Sequence, residues 1–188
     1  GDFKAGSMPK TGTLSTEIMG LAVFDGAKMV GDLDGDESNY YLMLTGKYHH
    51  SYLTIPDPIE KDRFVLLNIK MARPPVKKVE MKGDIPHIYA KVRLEADILS
   101  IQSGKNYEST ENNQLLETAA EEHFEKAMLR FLEKTAREYE SDICQFGKAL
   151  KGKFLTWDEW VDFKWLSRYK DSVFDVEVDL KIRRPGLM

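Results

Sequence analysis

Strict alternation of apolar and polar residues marks two strands in this chain of 188 residues. The apolar positions of the first strand are Ile88, Ala90, Val92, Leu94, Ala96 and Ile98, and those of the second are Phe174, Val176, Val178, Leu180 and Ile182. Successive side chains of a strand point to opposite faces, so each strand has one buried and one solvated face, as is typical of antiparallel sheets. The acidic first half of the second strand would complement Lys91 and Arg93 if the two strands were neighbours.

A further strand is predicted before the first of these. The stretch from Asp62 to Met71 is almost continuously apolar, which is typical of a strand covered on both faces. Pro74-Pro75 cannot donate ladder hydrogen bonds, so the strand must bend, bulge or end there. Val76 to Met81 resumes the pattern, and Lys82-Gly-Asp84 predicts a turn into the alternating strand.

A long amphipathic helix is predicted between the strands. Apolar residues recur at steps of three and four, with charged residues opposite, and this predicts a helix over Asn113–Phe146. Such a helix is long enough to lie across a sheet. Gly147 is expected to end it in a left-handed conformation. Thr156-Trp-Asp-Glu159 predicts a capping box at the start of a second helix, whose bulky side carries Trp157, Trp160, Val161, Trp165 and Leu166.

The front of the chain predicts a hairpin followed by a short helix. Val23-Phe24 ends one strand, Asp25-Gly26 forms the turn, and Lys28 to Leu33 returns. Asp34 would cap the helix together with Glu37. The whole pattern predicts an α+β fold, a mainly antiparallel β-sheet with one long helix packed across a face and shorter helices. Its core would place Ile88, Val92, Leu94, Val176, Val178 and Leu180 beneath Phe124, Met128 and Phe131.

Composition and charge indicate an ordinary globular domain. Apolar residues make up 42% and charged residues 31% of the chain, and its length suits one domain, here residues 16–188. Residues 1–15 would be a linker, because Ala5–Ser15 is rich in Gly, Thr, Ser and Lys. Gly1 suggests a removed tag and therefore a piece of a longer protein. The net charge of −4 argues against nucleic-acid binding.

No calcium or histidine metal site is predicted. Asp32 to Glu37 resembles the start of a calcium loop, but its sixth and twelfth positions hold Glu37 and Met43 instead of Gly and Glu. A strand end followed by a helix cap explains this segment better. His49 and His50 are adjacent, so on a strand they point to opposite faces and cannot hold one ion together.

The sequence also contains no convincing set of catalytic or cofactor-binding residues. Cys144, the single cysteine, lies near the expected end of a helix, where the helix dipole disfavours a thiolate, so a buried and inert side chain is expected. No pair of carboxylates stands out as an acid and a base, and no glycine-rich phosphate loop is present. The three tryptophans could form a ligand platform or a partner surface, although their helical spacing favours core packing. We therefore predict no catalytic, cofactor-binding or metal-binding residues.

Three segments of the chain together resemble a known family. They are Gly20–Asp34 with the following Tyr41-Leu-Met-Leu-Thr-Gly-Lys47, then Tyr139-Glu-Ser-Asp-Ile-Cys-Gln-Phe-Gly147, and finally Asp179-Leu-Lys-Ile-Arg-Arg-Pro-Gly186. In this order they resemble the C-terminal domain of the Ger(x)C family, the lipoprotein C subunits of spore germinant receptors. Cys144 departs from the family pattern, which has an aromatic or small residue there.

The resemblance implies a non-catalytic, extracytoplasmic domain that acts in spore germination. Full-length members are held at the outer face of the spore inner membrane by a lipid anchor that this chain lacks. They work with two integral membrane subunits, A and B. The alternative is a small extracytoplasmic ligand-binding module or hydrolase with an unrecognised site, which a deep polar pocket would favour.

Partner contacts are expected where loops and strand ends project from the scaffold. The turn at Lys82–Pro86 and the terminal Arg183-Arg184 fit this description. We therefore take Lys82, Asp84, Arg183 and Arg184 as candidate partner-binding residues. The exposed end of a strand is the simpler explanation for the two arginines.

Overall fold

The computed structural model describes residues 20–184, with the backbone alone at Arg184. The expected linker over residues 1–15 lies outside this range. The elements in chain order are β1 (Leu21–Asp25), β2 (Lys28–Leu33), α1 (Gly35–Thr45), β3 (His50–Pro56), β4 (Phe64–Lys82), β5 (Ile85–Ile101), α2 (Thr110–Arg137), α3 (Gly147–Lys151), α4 (Trp157–Asp162), α5 (Trp165–Tyr169) and β6 (Val173–Arg184). This is an α+β fold with one long helix and several shorter ones, as predicted.

Four strands form the main sheet in the order β3-β4-β5-β6, and β1 and β2 form a separate hairpin. The β3–β4 and β4–β5 pairs are antiparallel, whereas β5 and β6 are parallel. A parallel neighbour requires a long crossover, and the segment containing α2 to α5 provides it. Lys91 lies opposite Glu177 and Arg93 opposite Asp179, so the two alternating strands are neighbours and their charges complement each other.

The buried face of the sheet follows the alternation in the sequence. The predicted core residues that are buried are Ile88, Val92, Leu94, Val178 and Leu180 on the strands and Phe124, Met128 and Phe131 on α2. Val176 is only half-buried, which corrects its predicted place in the core. The expectation that β4 is covered on both faces is also wrong, because Val65, Leu67 and Ile69 are buried but Phe64 is exposed.

The long β4–β5 hairpin forms the centre of the sheet. The strand register shifts on both sides of Arg73, beside Pro74-Pro75, so the predicted irregularity is a bulge rather than a strand end. The hairpin ends at Gly83, whose φ of 63° lies in the left-handed region. The predicted turn at Lys82–Asp84 is therefore confirmed.

The first hairpin turns one residue later than predicted. Asp25 pairs with Lys28, so Gly26-Ala27 forms the two-residue turn. Gly26 has a φ of 58°, whereas Ala27 does not have a positive φ, which matches turns with Gly at the first central position. The capping box of α1 is confirmed: Glu37 N–H donates to Asp34 Oδ1 at 2.8 Å, and Asp34 N–H donates to Glu37 Oε2 at 3.1 Å.

The long helix ends before its predicted boundary. α2 stops at Arg137 instead of Phe146, and Glu140 takes a left-handed φ of 46° shortly afterwards. Gly147 is not a left-handed stop, because it is the first residue of α3. A Cβ at this position would lie 2.6 Å from Trp165 Nε1, so glycine is required there by the close approach of the indole.

A row of three glutamates on α2 covers the outer edge of β6. The carboxylates of Glu117, Glu121 and Glu125 accept hydrogen bonds from the backbone N–H groups of Ile182, Leu180 and Val178, at 2.8, 2.9 and 3.0 Å. Four residues of helix rise by about 6.0 Å, and two residues of strand advance by about 6.6 Å. These spacings match, so one row of helix side chains can satisfy every second N–H donor along the edge of a strand that runs antiparallel to the helix. We call these residues the glutamate row.

Candidate interaction surfaces

The first pair of candidate residues lies at the end of the β4–β5 hairpin. Lys82 and Asp84 flank Gly83, and all three are exposed. The Asp84 carboxylate accepts a hydrogen bond from the Arg168 guanidinium on α5. The hairpin is therefore tied to the helical segment beside it, although an ion pair this exposed adds little stability.

The second pair lies at the end of β6. Arg183 Nη2 donates to Glu95 Oε1 on β5 at 2.7 Å, and this partner holds the pKa of Glu95 below its usual value. The backbone of Arg184 is opposite Asp97. The solvated face of the sheet thus pairs its charges across neighbouring strands.

The structure separates these two pairs. β5 and β6 run parallel from the His87–Val173 pair near the hairpin to the Asp97–Arg184 pair at the other end. Ten residues of strand between them span about 33 Å. The four candidate residues therefore belong to two surfaces at opposite ends of the sheet, which we call the hairpin end and the arginine end.

A shallow cleft of about 330 Å³ opens beside the hairpin end. Its lining residues are Lys78, Glu80, Lys82, His87, Ile88, Tyr89, Val173 and Asp175. Lys78 Nζ lies 5.8 Å from the centroid of the Tyr89 ring. Tyr89 also donates its hydroxyl hydrogen to Glu177, and this bond raises the pKa of the Tyr89 phenol.

The tryptophans were predicted to share one helix face, and this prediction is wrong. α4 and α5 are separate short helices, and Lys164 between them has a φ of 51°. Trp165 is buried and donates its Nε1–H to Asp142 Oδ2 at 2.8 Å. Trp157 is 61% exposed. Core packing is therefore confirmed for Trp165 and wrong for Trp157.

Partly buried polar groups near Cys144 have structural partners. Asp142 accepts hydrogen bonds from the backbone N–H groups of Phe146 and Gly147 as well as from Trp165. Burial nevertheless raises the pKa of Asp142. Burial also raises the pKa of the Cys144 thiol well above its usual value, as expected for an unreactive cysteine. Lys77 Nζ donates to the Cys144 carbonyl at 2.8 Å.

A second buried carboxylate, Asp57, fixes the loop between β3 and β4. Burial opposes its ionisation, but hydrogen bonds from Ser103, Tyr107 and the backbone of Ile59 and Glu60 outweigh that effect and lower its pKa. The Tyr107 hydroxyl donates to Asp57 Oδ1 at 2.6 Å. Four donors that converge on one carboxylate in this way order the loop.

Residues 20–184 offer no cluster of metal ligands and no helix suited to crossing a bilayer. Within that range, no three His, Cys, Asp or Glu side chains come together in a way that could hold an ion. His49 and His50 are both exposed. None of the helices in the described part of the chain combines the length and apolar character needed to cross a bilayer.

The fold thus defines an α+β domain that carries charged residues at both ends of its main sheet. The chain belongs to the family described as spore germination B3/GerAC like, C-terminal, whose model matches residues 19–186. The resemblance of the three sequence segments is confirmed by this match.

Structural comparison agrees with the family assignment. The crystal structure of the GerBC protein matches with a TM-score of 0.72 over 88% of this chain, at 18% sequence identity. At that identity the likeness shows a common fold. The chain spans about half of the GerBC chain, 51% of its length. A search of curated proteins finds no match.

Proposed function

We propose that this chain is a non-catalytic, extracytoplasmic domain of the C subunit of a spore germinant receptor. The observation that carries the proposal is the family match over residues 19–186. In the full-length protein a lipid anchor would hold the domain at the outer face of the spore inner membrane. Its partners would be the integral membrane A and B subunits.

We propose further that the domain acts by docking on these partners. Its large apolar side chains are mostly packed into one core between the sheet and α2. Exposed charged side chains lie instead at the two ends of the sheet, Lys82 and Asp84 at the hairpin end and Arg183 at the arginine end. Altering the charge of residues at an interface changes the rate and the specificity of association.

Charge reversal in spores tests the docking surfaces separately. The double variant Lys82→Glu/Asp84→Lys alters the hairpin end, and Arg183→Glu/Arg184→Glu alters the arginine end. We expect slower nutrient-triggered loss of optical density in spore suspensions from at least one variant. Lys126→Glu on the solvated side of α2 is the matched control, because Lys126 is exposed and pairs with the equally exposed Glu122 one turn away.

The purified variants must keep their circular dichroism spectra for the result to report docking. Normal germination of both double variants would show that neither end contacts a partner. Photocrosslinking from position 82 at the hairpin end and from position 183 at the arginine end in spores then asks directly whether an A or B subunit is the neighbour. Crosslinks to neither subunit at either end would contradict the docking proposal.

The cleft at the hairpin end supports a second candidate, a small-ligand binding module. Its volume of about 330 Å³ lies at the lower limit of typical ligand pockets, and Glu80, His87 and Asp175 give it polar walls. Isothermal calorimetry of the isolated domain with nutrient germinants tests this candidate. Tight binding that His87→Ala abolishes would favour it over docking.

A further inference from the structure

Three exposed apolar side chains project from the segment around α4. Leu155 is 93% exposed, Trp157 61% and Val161 52%. Trp157 and Val161 are four residues apart on α4 and therefore share one helix face, and Leu155 precedes the N-cap residue Thr156. We call these three residues the α4 tip. Exposed apolar side chains that are grouped together mark interaction sites more often than single ones do.

An aromatic cluster and a backbone hydrogen bond hold the α4 tip in place. Trp160 packs on Phe154 and Phe163, with ring centroids 5.5 and 6.1 Å away. The backbone N–H of Leu155 donates to Glu159 Oε2 at 2.9 Å. The exposed side chains are thus presented by an ordered aromatic cluster, so their exposure belongs to the folded state.

The tip lies in the basic part of an acidic protein. Residues 148–170 contain six basic and three acidic side chains, a net charge of +3 in a chain whose net charge is −4. Lys151 Nζ lies 4.3 Å from the centroid of the Trp157 ring, so one cation sits directly on the tip. Lys148 and Lys153 are also exposed. Asp158 and Asp162 follow on the next face of α4, about 100° around the helix.

We propose that the α4 tip is a contact site for an anionic lipid surface. Tryptophan with an apolar neighbour is favoured at the boundary between headgroups and acyl chains. Lysines near that boundary are attracted to anionic headgroups. The charge asymmetry orients the domain, since the rest of the chain would be repelled by such a surface. A stable protein interface buries about 800 Å² on each partner, far more than three side chains supply.

Vesicle binding by the purified chain tests this site. The probes are vesicles of phosphatidylcholine alone and vesicles that contain an equal part of phosphatidylglycerol. We expect co-sedimentation with the anionic vesicles at low salt, together with a blue shift of tryptophan emission. The double variant Leu155→Glu/Val161→Glu should weaken binding by about tenfold or more, because it removes apolar insertion and adds negative charge.

Matched variants separate the tip from general surface effects. Leu115→Glu is the apolar control, because Leu115 is also exposed but lies on α2. Lys151→Glu and Lys153→Glu should each weaken binding by about fivefold, whereas Lys126→Glu on α2 should not. Circular dichroism and thermal melting of every variant show whether the fold is intact.

Several results would overturn the proposal. They are failure of the unaltered chain to bind anionic vesicles, equal binding to both vesicle types, and unchanged binding by the tip double variant. If folded tip variants lose germination while the unaltered chain ignores vesicles, the tip contacts a protein instead. The proposed receptor function does not depend on these outcomes, since its own test alters the hairpin and arginine ends.

Discussion

Replacing Glu121 by alanine tests the glutamate row on α2. The Glu121 carboxylate accepts the Leu180 N–H at 2.9 Å, and the change leaves that donor without its partner beside the helix. An unsatisfied buried backbone donor costs about 1–3 kcal/mol. Because Glu121 is only partly buried and water can reach the edge of β6, we expect the free energy of unfolding to fall by about 1–2 kcal/mol, near the lower end of that range. Glu121→Gln keeps an acceptor oxygen and should cost less.

The assay is urea denaturation at neutral pH, followed by circular dichroism. Glu122→Ala is the matched control, because Glu122 is the next residue and makes an exposed pair with Lys126. It should change the midpoint little. Equal midpoints for Glu121→Ala and Glu122→Ala would refute the idea that the row stabilises the edge of β6.

The pH dependence gives an independent check on Glu121. Burial raises its pKa above the ordinary value of 4.5, although the Leu180 N–H and Lys181 oppose the shift. Folding therefore favours the protonated acid, and its contribution to stability falls as pH rises from 4.5 through the raised pKa. Relative to Glu121→Gln, the unaltered chain should gain stability as pH is lowered through this window. The opposite slope would contradict the assigned environment.

Three further predictions concern the core, a buried carboxylate and metal dependence. Phe131→Ala should lower the free energy of unfolding by about 3–5 kcal/mol, because Phe131 is fully packed in the core. Glu133→Ala should lower it little. Similar losses from both variants in urea titrations would mean that the buried face of α2 is misassigned. Asp57 has a lowered pKa, so the stability it contributes is present above 3.8 and is lost as pH falls further; Asp57→Asn should flatten the acid limb of a stability–pH curve. Exhaustive chelation should leave the melting temperature unchanged, and a large drop would reveal a structural metal.

The structure is predicted most accurately from the sequence where one physical effect dominates. Period-two alternation placed β5 and β6 with the correct faces, because burial of one sheet face decides which residues are apolar. It could not reveal that β6 is parallel to β5, since alternation is the same in either direction. The capping box at Asp34 was also predictable, because both of its bonds are local.

The errors arose where apolar spacing continues outside regular structure. Tyr139 and Ile143 pack against the core from a loop, so the helical spacing extended past the true end of α2. The Asp142 carboxylate organises that loop through N–H donors, a pattern that hydrophobic periodicity does not contain. Trp157 was assigned to the core because residue type and spacing alone do not show which surface is covered.

The candidate surfaces were only partly predictable. The turn at Lys82–Asp84 and the strand end at Arg183 follow from local sequence, but their separation depends on the direction of β6. The exposure of Leu155 could not be foreseen, because an apolar residue directly before an N-cap often packs against the fourth residue of the helix, here Trp160. Its exposure became evident only when the packing of Phe154 and Trp160 was known.

The late position of β6 in the chain has a consequence for folding during synthesis. β4 and β5 can pair as soon as both have emerged, because a short turn joins them. The other edge of β5 must wait for Val173, which is 86 residues beyond its partner His87. Until then a long apolar strand has an open edge, which is the kind of surface that pairs wrongly with other chains. We therefore expect nascent or truncated forms that lack β6 to depend on chaperones far more than the complete domain does.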